Sequence, residues 1–291
     1  MVSVILQKTS NQTYYYYLTH HNKSRTKREY LGKEIPVDIE ERKKRFLLEF
    51  YREDWYPQLE LIRKNFVANQ KKMPESVIEQ ELKDFVIQFT YHTQRIEGST
   101  LTKLETERLL RDGVTPSNKP KSDMIETELA EQVFFEMLKH EKQISLDTVR
   151  YWHTKMFNKT KIDLAGDVRD YEITIRGRKT KFPPGDQVFS LLRKFFKWYQ
   201  SAKSRMNPVE LAALAHLKFV SIHPFGDGNG RISRLLMNCI LDENRYPMLN
   251  IEYVSRYRYY AVLEKSNLKN DEMPFLQWFM KRYIKSNRIW L

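Results

Sequence analysis

Thiols are almost missing from this chain, whose 291 residues hold one cysteine, Cys239. A lone cysteine excludes an intramolecular disulfide, and Cys239, set among apolar neighbours, reads as a core thiol. Glycine is scarce at 9 residues, which favours helix over a fold made of tight turns. No apolar run approaches the roughly 18 residues of a membrane span. Met1–Leu6 lacks the basic start and long apolar core of a secretory leader. The expectation is a soluble, cytoplasmic protein with no membrane association. Acidic residues are also outnumbered, 37 against 50 Lys and Arg, which leaves a net charge of +13. Such a balance suits an anionic partner: a nucleotide, a nucleic acid or an acidic protein surface. The basic residues are spread along the chain and not clustered, so nucleic acid is the disfavoured choice.

Hydrophobic residues make up 41% of the chain, enough for a sizeable core. The chemistry gathers in one stretch, His223-Pro224-Phe225-Gly226-Asp227-Gly228-Asn229-Gly230-Arg231-Ile232-Ser233-Arg234. Its glycines let successive N–H groups point into one concavity. The apolar run Leu235-Leu236-Met237 continues it as a helix, whose N-terminus adds a positive dipole end at the same place. Arg231 and Arg234, three apart, leave that helix on one face. No Gly-Lys-Ser/Thr follows, so this is not a P-loop. Imidazole, carboxylate, backbone donors and two guanidiniums together suit a polyphosphate with a divalent metal.

The elements on either side read as follows. Thr13–Leu18 has strand character and Arg28–Leu31 offers a partner, so an N-terminal β-hairpin is expected. His20 and His21 have no further ligands nearby and are weak as a metal site. A first helix opens at Pro36 and Asp38, with Pro57 expected to kink or break it. Lys71–Pro74 marks a boundary, with 1–73 as an N-terminal region and 74–291 as a second domain. A helix runs from Pro74 to Ile96, ending at Glu97 and Gly98, and a capping box at Thr102 and Glu105 starts the next. Helices follow at 125–140 and 146–157, the second carrying His153 as a core histidine. Tyr171–Ile175 alternates like a strand, and Arg176–Thr180 can turn, giving a second hairpin with a basic tip. Asp186 caps a helix through Trp198. Asn207, Pro208 and Glu210 then start a helix apolar nearly all round, hence central and buried, with His216 as structural support. Further helices begin at Arg256 and run from Met273 to Ile284.

The stretch from His223 resembles the signature of the Fic family, His-x-Phe-x-(Asp/Glu)-Gly-Asn-Gly-Arg-x-x-Arg, at every fixed position. The likeness covers roughly residues 75–285. It implies an all-α Fic fold with a β-hairpin flap over the active site, and transfer of AMP from ATP to a Tyr, Thr or Ser hydroxyl of a target protein. His223 is then the general base. Asp227 is a hard oxygen ligand for Mg²⁺. The backbone of Gly226, Gly228 and Gly230, with Asn229, cradles the phosphates. Arg231 neutralises charge as pyrophosphate leaves, and Arg234 holds the γ-phosphate.

Three further parts follow from the resemblance. Thr93…Glu97-Gly98 is similar to the family's inhibitory motif, (Ser/Thr)-x-x-x-Glu-(Gly/Asn), which implies that Glu97 pairs with Arg234 and draws it off the γ-phosphate. The hairpin near 171–180 matches the flap, with Ile173 and Thr174 where a target segment docks. Tyr260 and Asn267 match residues that bound the adenine pocket. Self-modification and a homodimer are left open. Removal of AMP, transfer of another phosphate-containing group, and a non-catalytic nucleotide-binding role are the competing readings.

Overall fold

The computed structural model describes residues 2–8, 13–22, 25–139, 143–174 and 180–291. Two compact units are present, 1–61 and 62–291.

The first unit begins with a three-stranded antiparallel sheet in the order β1 (Ser3–Lys8), β2 (Tyr14–His21) and β3 (Thr26–Gly32). The hairpin expected from sequence is therefore β2 and β3, with β1 added beside it. Leu18 pairs with Val4 on one side and Glu29 on the other, and its side chain is fully buried. His20 meets the Phe50 ring edge-on at 4.6 Å, which makes it a packing residue of the sheet. Arg25 covers the Phe50 ring and pairs with Asp54 at 3.2 Å.

Helix α1 runs from Ile39 to Gln70, straight through Pro57. The break expected at Pro57 does not occur. A proline inside a helix removes one i→i−4 bond, and one residue on, Gln58 Nε2 donates to the Asp54 carbonyl at 2.8 Å. The bond that Pro57 removes is the one to the Glu53 carbonyl, and the helix continues past it with that bond missing.

In the second unit, α2 (Glu75–Ile96), α3 (Lys103–Asp112), α4 (Lys121–Leu138) and α5 (Leu146–Phe157) come first. The capping box of Thr102 and Glu105 starts α3, and Gly113 ends it in the left-handed region at φ +67°. Helices α6 (Gly185–Lys203), α7 (Pro208–Ile222), α8 (Asn229–Glu243), α9 (Arg256–Lys269) and α10 (Met273–Ser286) complete it. Asp186 does not cap α6. Pro184 holds the cap position, and Asp186 lies in the first turn, where its charge still favours the helix dipole.

The core is centred on α7 and α8. Every side chain from Val209 to Leu217 is buried, as is every one from Arg231 to Leu241. Helices α6 and α10 pack on α7, whereas α2, α4 and α5 pack on α8. The link between α7 and α8 is His223–Gly228, so the two buried, closely packed helices frame the signature. Glu172–Thr174 and Thr180–Pro184 are not in strands, and all but Thr180 of the expected hairpin tip at 176–180 lies outside the described residues. No helix among the described residues is long and apolar enough to cross a membrane.

Candidate active site

Helix α7 delivers His223 to the site. Asn207 caps its start by accepting from the Val209 N–H at 2.9 Å, and Pro208 takes the first turn, where no N–H is needed. Pro224 has no N–H with which to continue the helix. His223 turns the chain with a left-handed backbone, φ +54°. Its Nδ1 lies 3.2 Å from the Val220 carbonyl. A carbonyl only accepts, so in the neutral ring Nδ1 carries the proton and Nε2 the lone pair. The Phe182 ring packs against the imidazole at 4.2 Å.

The loop after His223 is held from beneath. Phe225 is fully buried, an anchor worth roughly 2–3 kcal/mol of transfer free energy. Asn229 closes the turn with both ends of its amide: Oδ1 accepts from Phe225 N–H at 2.9 Å, and Nδ2 donates to Phe225 C=O at 2.7 Å. Its side chain therefore shapes the loop. Gly228 has φ +75°, and a Cβ there would run into the Phe157 ring.

His153 supports the same loop, a role its place in a helical pattern did not show. Its ring stacks on Phe225 at 3.9 Å. Nδ1 accepts from the Gly166 N–H at 2.9 Å, so Nε2 carries the proton and donates to the Asp227 carbonyl at 3.0 Å. Burial holds its pKa down at about 4, so the ring is neutral in this role. Only part of this fits the expectation of a core histidine: it is buried, and it also ties α5 to the loop.

Asp227 Oδ1 accepts from the Gly228 N–H at 2.5 Å, while Oδ2 faces Lys161 Nζ at 2.9 Å and Arg231 at 3.4 Å. Burial alone would raise the Asp227 carboxyl. The nearby Arg231 charge and the Lys161 hydrogen bond outweigh it, and the pKa lies below the ordinary value. Arg231 is buried and pairs with Glu126, and it also donates to Gln94 Oε1 at 3.1 Å. Glu126 in turn accepts from Lys161 at 2.7 Å. Burial opposes ionisation of Glu126 as well, yet Arg231 and Lys161 pull its pKa down. Gln94, Glu126 and Lys161 were not singled out from sequence, since an isolated charge on an amphipathic helix or in a loop carries no signature.

Arg234 is held by the last turn of α2. Its Nε donates to Thr93 Oγ1 at 2.8 Å, and its Nη2 donates to the Thr93 carbonyl at 3.3 Å and to Glu97 Oε1 at 2.6 Å. On the far side, Tyr259 OH accepts from Arg234 at 3.4 Å and lies 3.0 Å from His216 Nε2. Glu97 caps the end of α2, the unfavourable end for a carboxylate. Arg234 offsets that. The same carboxylate lies against Gly230 in the first turn of α8, where a Cβ would strike Glu97 Oε1. An anionic group therefore already sits at the positive end of α8. Beside it a cleft of about 380 Å³ is lined by Glu97, Asp123, Glu126, Lys161, Asp227 and Arg231.

Asn267 and Tyr260 part company. Asn267 lines a small recess with His223, Phe182, Val220 and Leu263. Tyr260 does not line it. Its hydroxyl donates to the Ile96 carbonyl at 2.8 Å, which ties α9 to the end of α2 next to Glu97. Ile173 is half-buried and Thr174 exposed. Gly98 follows the cap of α2 with φ +103°.

Residues 143–241 match the Fic/DOC family. The protein adenylyltransferase Fic of Drosophila ananassae is 33% identical over 201 residues, 67% of this chain and 40% of that protein. The protein of the same name from Drosophila virilis is 32% identical over 208 residues, 70% of this chain and 42% of that protein. This chain thus spans about two-fifths of the length of these curated relatives. Among solved structures, a Fic domain containing signaling protein from Bacteroides thetaiotaomicron has a TM-score of 0.72 at 23% identity, covering 80% of this chain and 95% of that one. A Fic-1 fragment from C. elegans has a TM-score of 0.72 at 24% identity, covering 87% and 76%. These two likenesses speak to fold. With the signature intact between α7 and α8, the chain carries a Fic domain and belongs to the Fic/DOC family.

Proposed function

We propose that this protein transfers AMP from ATP to a hydroxyl of a target protein, and that Glu97 holds the activity back. The observation that carries this reading is the Glu97–Arg234 pair at 2.6 Å, set against the first turn of α8 beside the His223 loop. In the reaction, the acceptor oxygen forms a bond to the α-phosphorus as the bond from that phosphorus to the bridging oxygen breaks. Pyrophosphate leaves with the electron pair, and the acceptor proton passes to His223 Nε2. The loop N–H groups and the first turn of α8 bind phosphate oxygens, and Arg231 offsets charge on the leaving pyrophosphate.

Asp227 suits Mg²⁺, because its carboxylate is held ionised and already faces the Lys161 ammonium. Bound there, the ion would neutralise phosphate charge. Arg234, once freed from Glu97, reaches the γ-phosphate. While Glu97 holds it, ATP binds with its α-phosphate poorly presented for in-line attack. The exposed Thr174 and half-buried Ile173 serve target docking by backbone pairing. Asn267 lines the adenine recess. Tyr260 does not line that recess and serves to tie α9 to the end of α2.

Label from ATP carried at the α-position should enter protein, and label at the γ-position should not. Mass spectrometry of the labelled protein should locate AMP on Tyr, Thr or Ser, on a target or on this chain itself. Entry of γ-label would contradict the proposal and indicate a kinase reaction. One observation favours a second reading. The Glu97 carboxylate next to the loop can orient a water, which would remove AMP from a modified protein. Release of AMP from a purified modified target, lost with Glu97→Gly, would select that reading.

A further inference from the structure

Arg169 has no part in the signature, yet it is only 3% exposed and lies at the base of the catalytic loop. Its guanidinium donates to main-chain carbonyls from three separate stretches. Nε donates to His223 C=O at 2.8 Å, and Nη2 reaches Ile222 C=O at 3.4 Å. Nη1 donates to Tyr171 C=O at 2.7 Å, and Nη2 to Pro183 C=O at 2.9 Å. Its own N–H donates to Pro224 C=O at 2.9 Å, and Val168 forms a β-bridge with Phe225.

A buried guanidinium is expensive unless its donors are satisfied. Packing alone gives no reason for one here. What the rigid fork does is fix several carbonyls relative to one another, which a lysine cannot do. One of them, on Tyr171, lies two residues before Ile173, which is proposed to dock the target, and another, on Pro183, follows Phe182, whose ring packs on His223. Another belongs to His223, a non-glycine residue in the left-handed region, where the backbone is disfavoured by roughly 1–2 kcal/mol.

We infer that Arg169 is a positioning residue that locks the backbone at Tyr171, at Pro183 and at His223 into one frame. The acceptor hydroxyl and the base that takes its proton are then set relative to each other before the target arrives. This inference rests on the AMP-transfer reading, and it deepens that reading at the acceptor side. Arg169 touches no part of the phosphate-binding loop beyond Pro224, so nucleotide affinity should not depend on it.

The test uses the full chain carrying Glu97→Gly, with Arg169→Ala and Arg169→Lys added in turn. Thermal melting shows that each variant is folded, and calorimetry with a non-hydrolysable ATP analogue gives its Kd. A displacement of about 1 Å at a reacting group lowers rate about 100-fold. Arg169→Ala should therefore lower kcat for AMP transfer about 100-fold with analogue Kd within about two-fold. Arg169→Lys should recover little of this, because it cannot span the four carbonyls, and added guanidinium ion should restore part of the Arg169→Ala rate. An unchanged kcat in a folded Arg169→Ala protein overturns the inference, as does a Kd that weakens in parallel with kcat. NMR supplies a readout that does not depend on activity. Arg169→Ala should shift the His223 ring nitrogens and speed amide exchange at His223 and Phe225. If Glu97→Gly itself transfers no AMP, the AMP-transfer reading fails, and unchanged His223 resonances would then overturn the Arg169 inference separately.

Discussion

Thr93 shows how one hydroxyl supports a charged contact four residues away. Its Oγ1 accepts from Arg234 Nε at 2.8 Å, while Glu97 takes the other side of the same guanidinium. A hydrogen bond to a charged group is worth roughly 1.5–3 kcal/mol. Thr93→Val should loosen the hold on Arg234 without removing the carboxylate. Basal AMP transfer is expected to rise, to a level between the parent and Glu97→Gly, as measured by incorporation of α-label. No rise with Thr93→Val, despite a rise with Glu97→Gly, would mean that the hydroxyl carries no part of the restraint. Glu126 makes a different case. It neutralises the buried Arg231 as well as Lys161. Removing one partner of a buried pair strands the other charge, at roughly 3–5 kcal/mol. Glu126→Ala should lower the urea unfolding free energy by about that amount, and a change below about 1 kcal/mol would show that Arg231 finds water or another acceptor.

Among the elements, α1 and the α7–loop–α8 unit teach opposite lessons. Proline in a helix interior disfavours it by roughly 3 kcal/mol relative to alanine. Pro57→Ala should raise the melting temperature, since α1 continues on both sides of Pro57. An unchanged or lower value would show that the surroundings are fitted to the proline. Sequence rules expected a kink or break here because they count the lost bond and cannot see the packing that carries the helix past it. The signature helices were read more fully. Asn207 and Pro208 start α7 and the apolar residues bury it, because caps and periodicity are local properties. The Glu97–Arg234 contact was legible too, but only through the resemblance to the family's inhibitory motif. The partners Glu126, Lys161, His153 and Arg169 were not legible. Each is a single polar residue whose place depends on the packing of α4 and α5 and of the chain after α5, and no spacing rule connects them. Strand β1 was not placed, although Val4 and Ile5 favour a strand, because its pairing to β2 is a long-range property that no local rule reads.

For the molecule as a whole, two buried imidazoles set how stability responds to acid. Burial holds the pKa of His153 at about 4 and that of His216 at about 3. In the unfolded chain each binds its proton near the ordinary value, about 6.5. Between about pH 6.5 and 4 the unfolded state therefore holds more protons, and stability falls as pH falls, by up to about 1.4 kcal/mol per pH unit for each ring. The contribution is fully present above about 6.5. The depressed carboxyls of Asp227 and Glu126 add their own loss as pH falls further, through their folded-state values. Urea unfolding from pH 7 to pH 4.5 should show this slope, reduced by about one proton's worth in His216→Gln. A flat profile would mean that neither ring is held neutral by burial.

The central claim is that this Fic domain moves AMP through His223 and is restrained by Glu97. It is tested most directly by initial rates of protein labelling from α-labelled ATP with Mg²⁺. The parent, Glu97→Gly and Glu97→Gly/His223→Ala are compared, each shown to bind nucleotide. The account expects little label with the parent, a strong rise with Glu97→Gly, and its disappearance in the double variant. A Glu97→Gly protein no faster than the parent, or label that persists without His223, would contradict it.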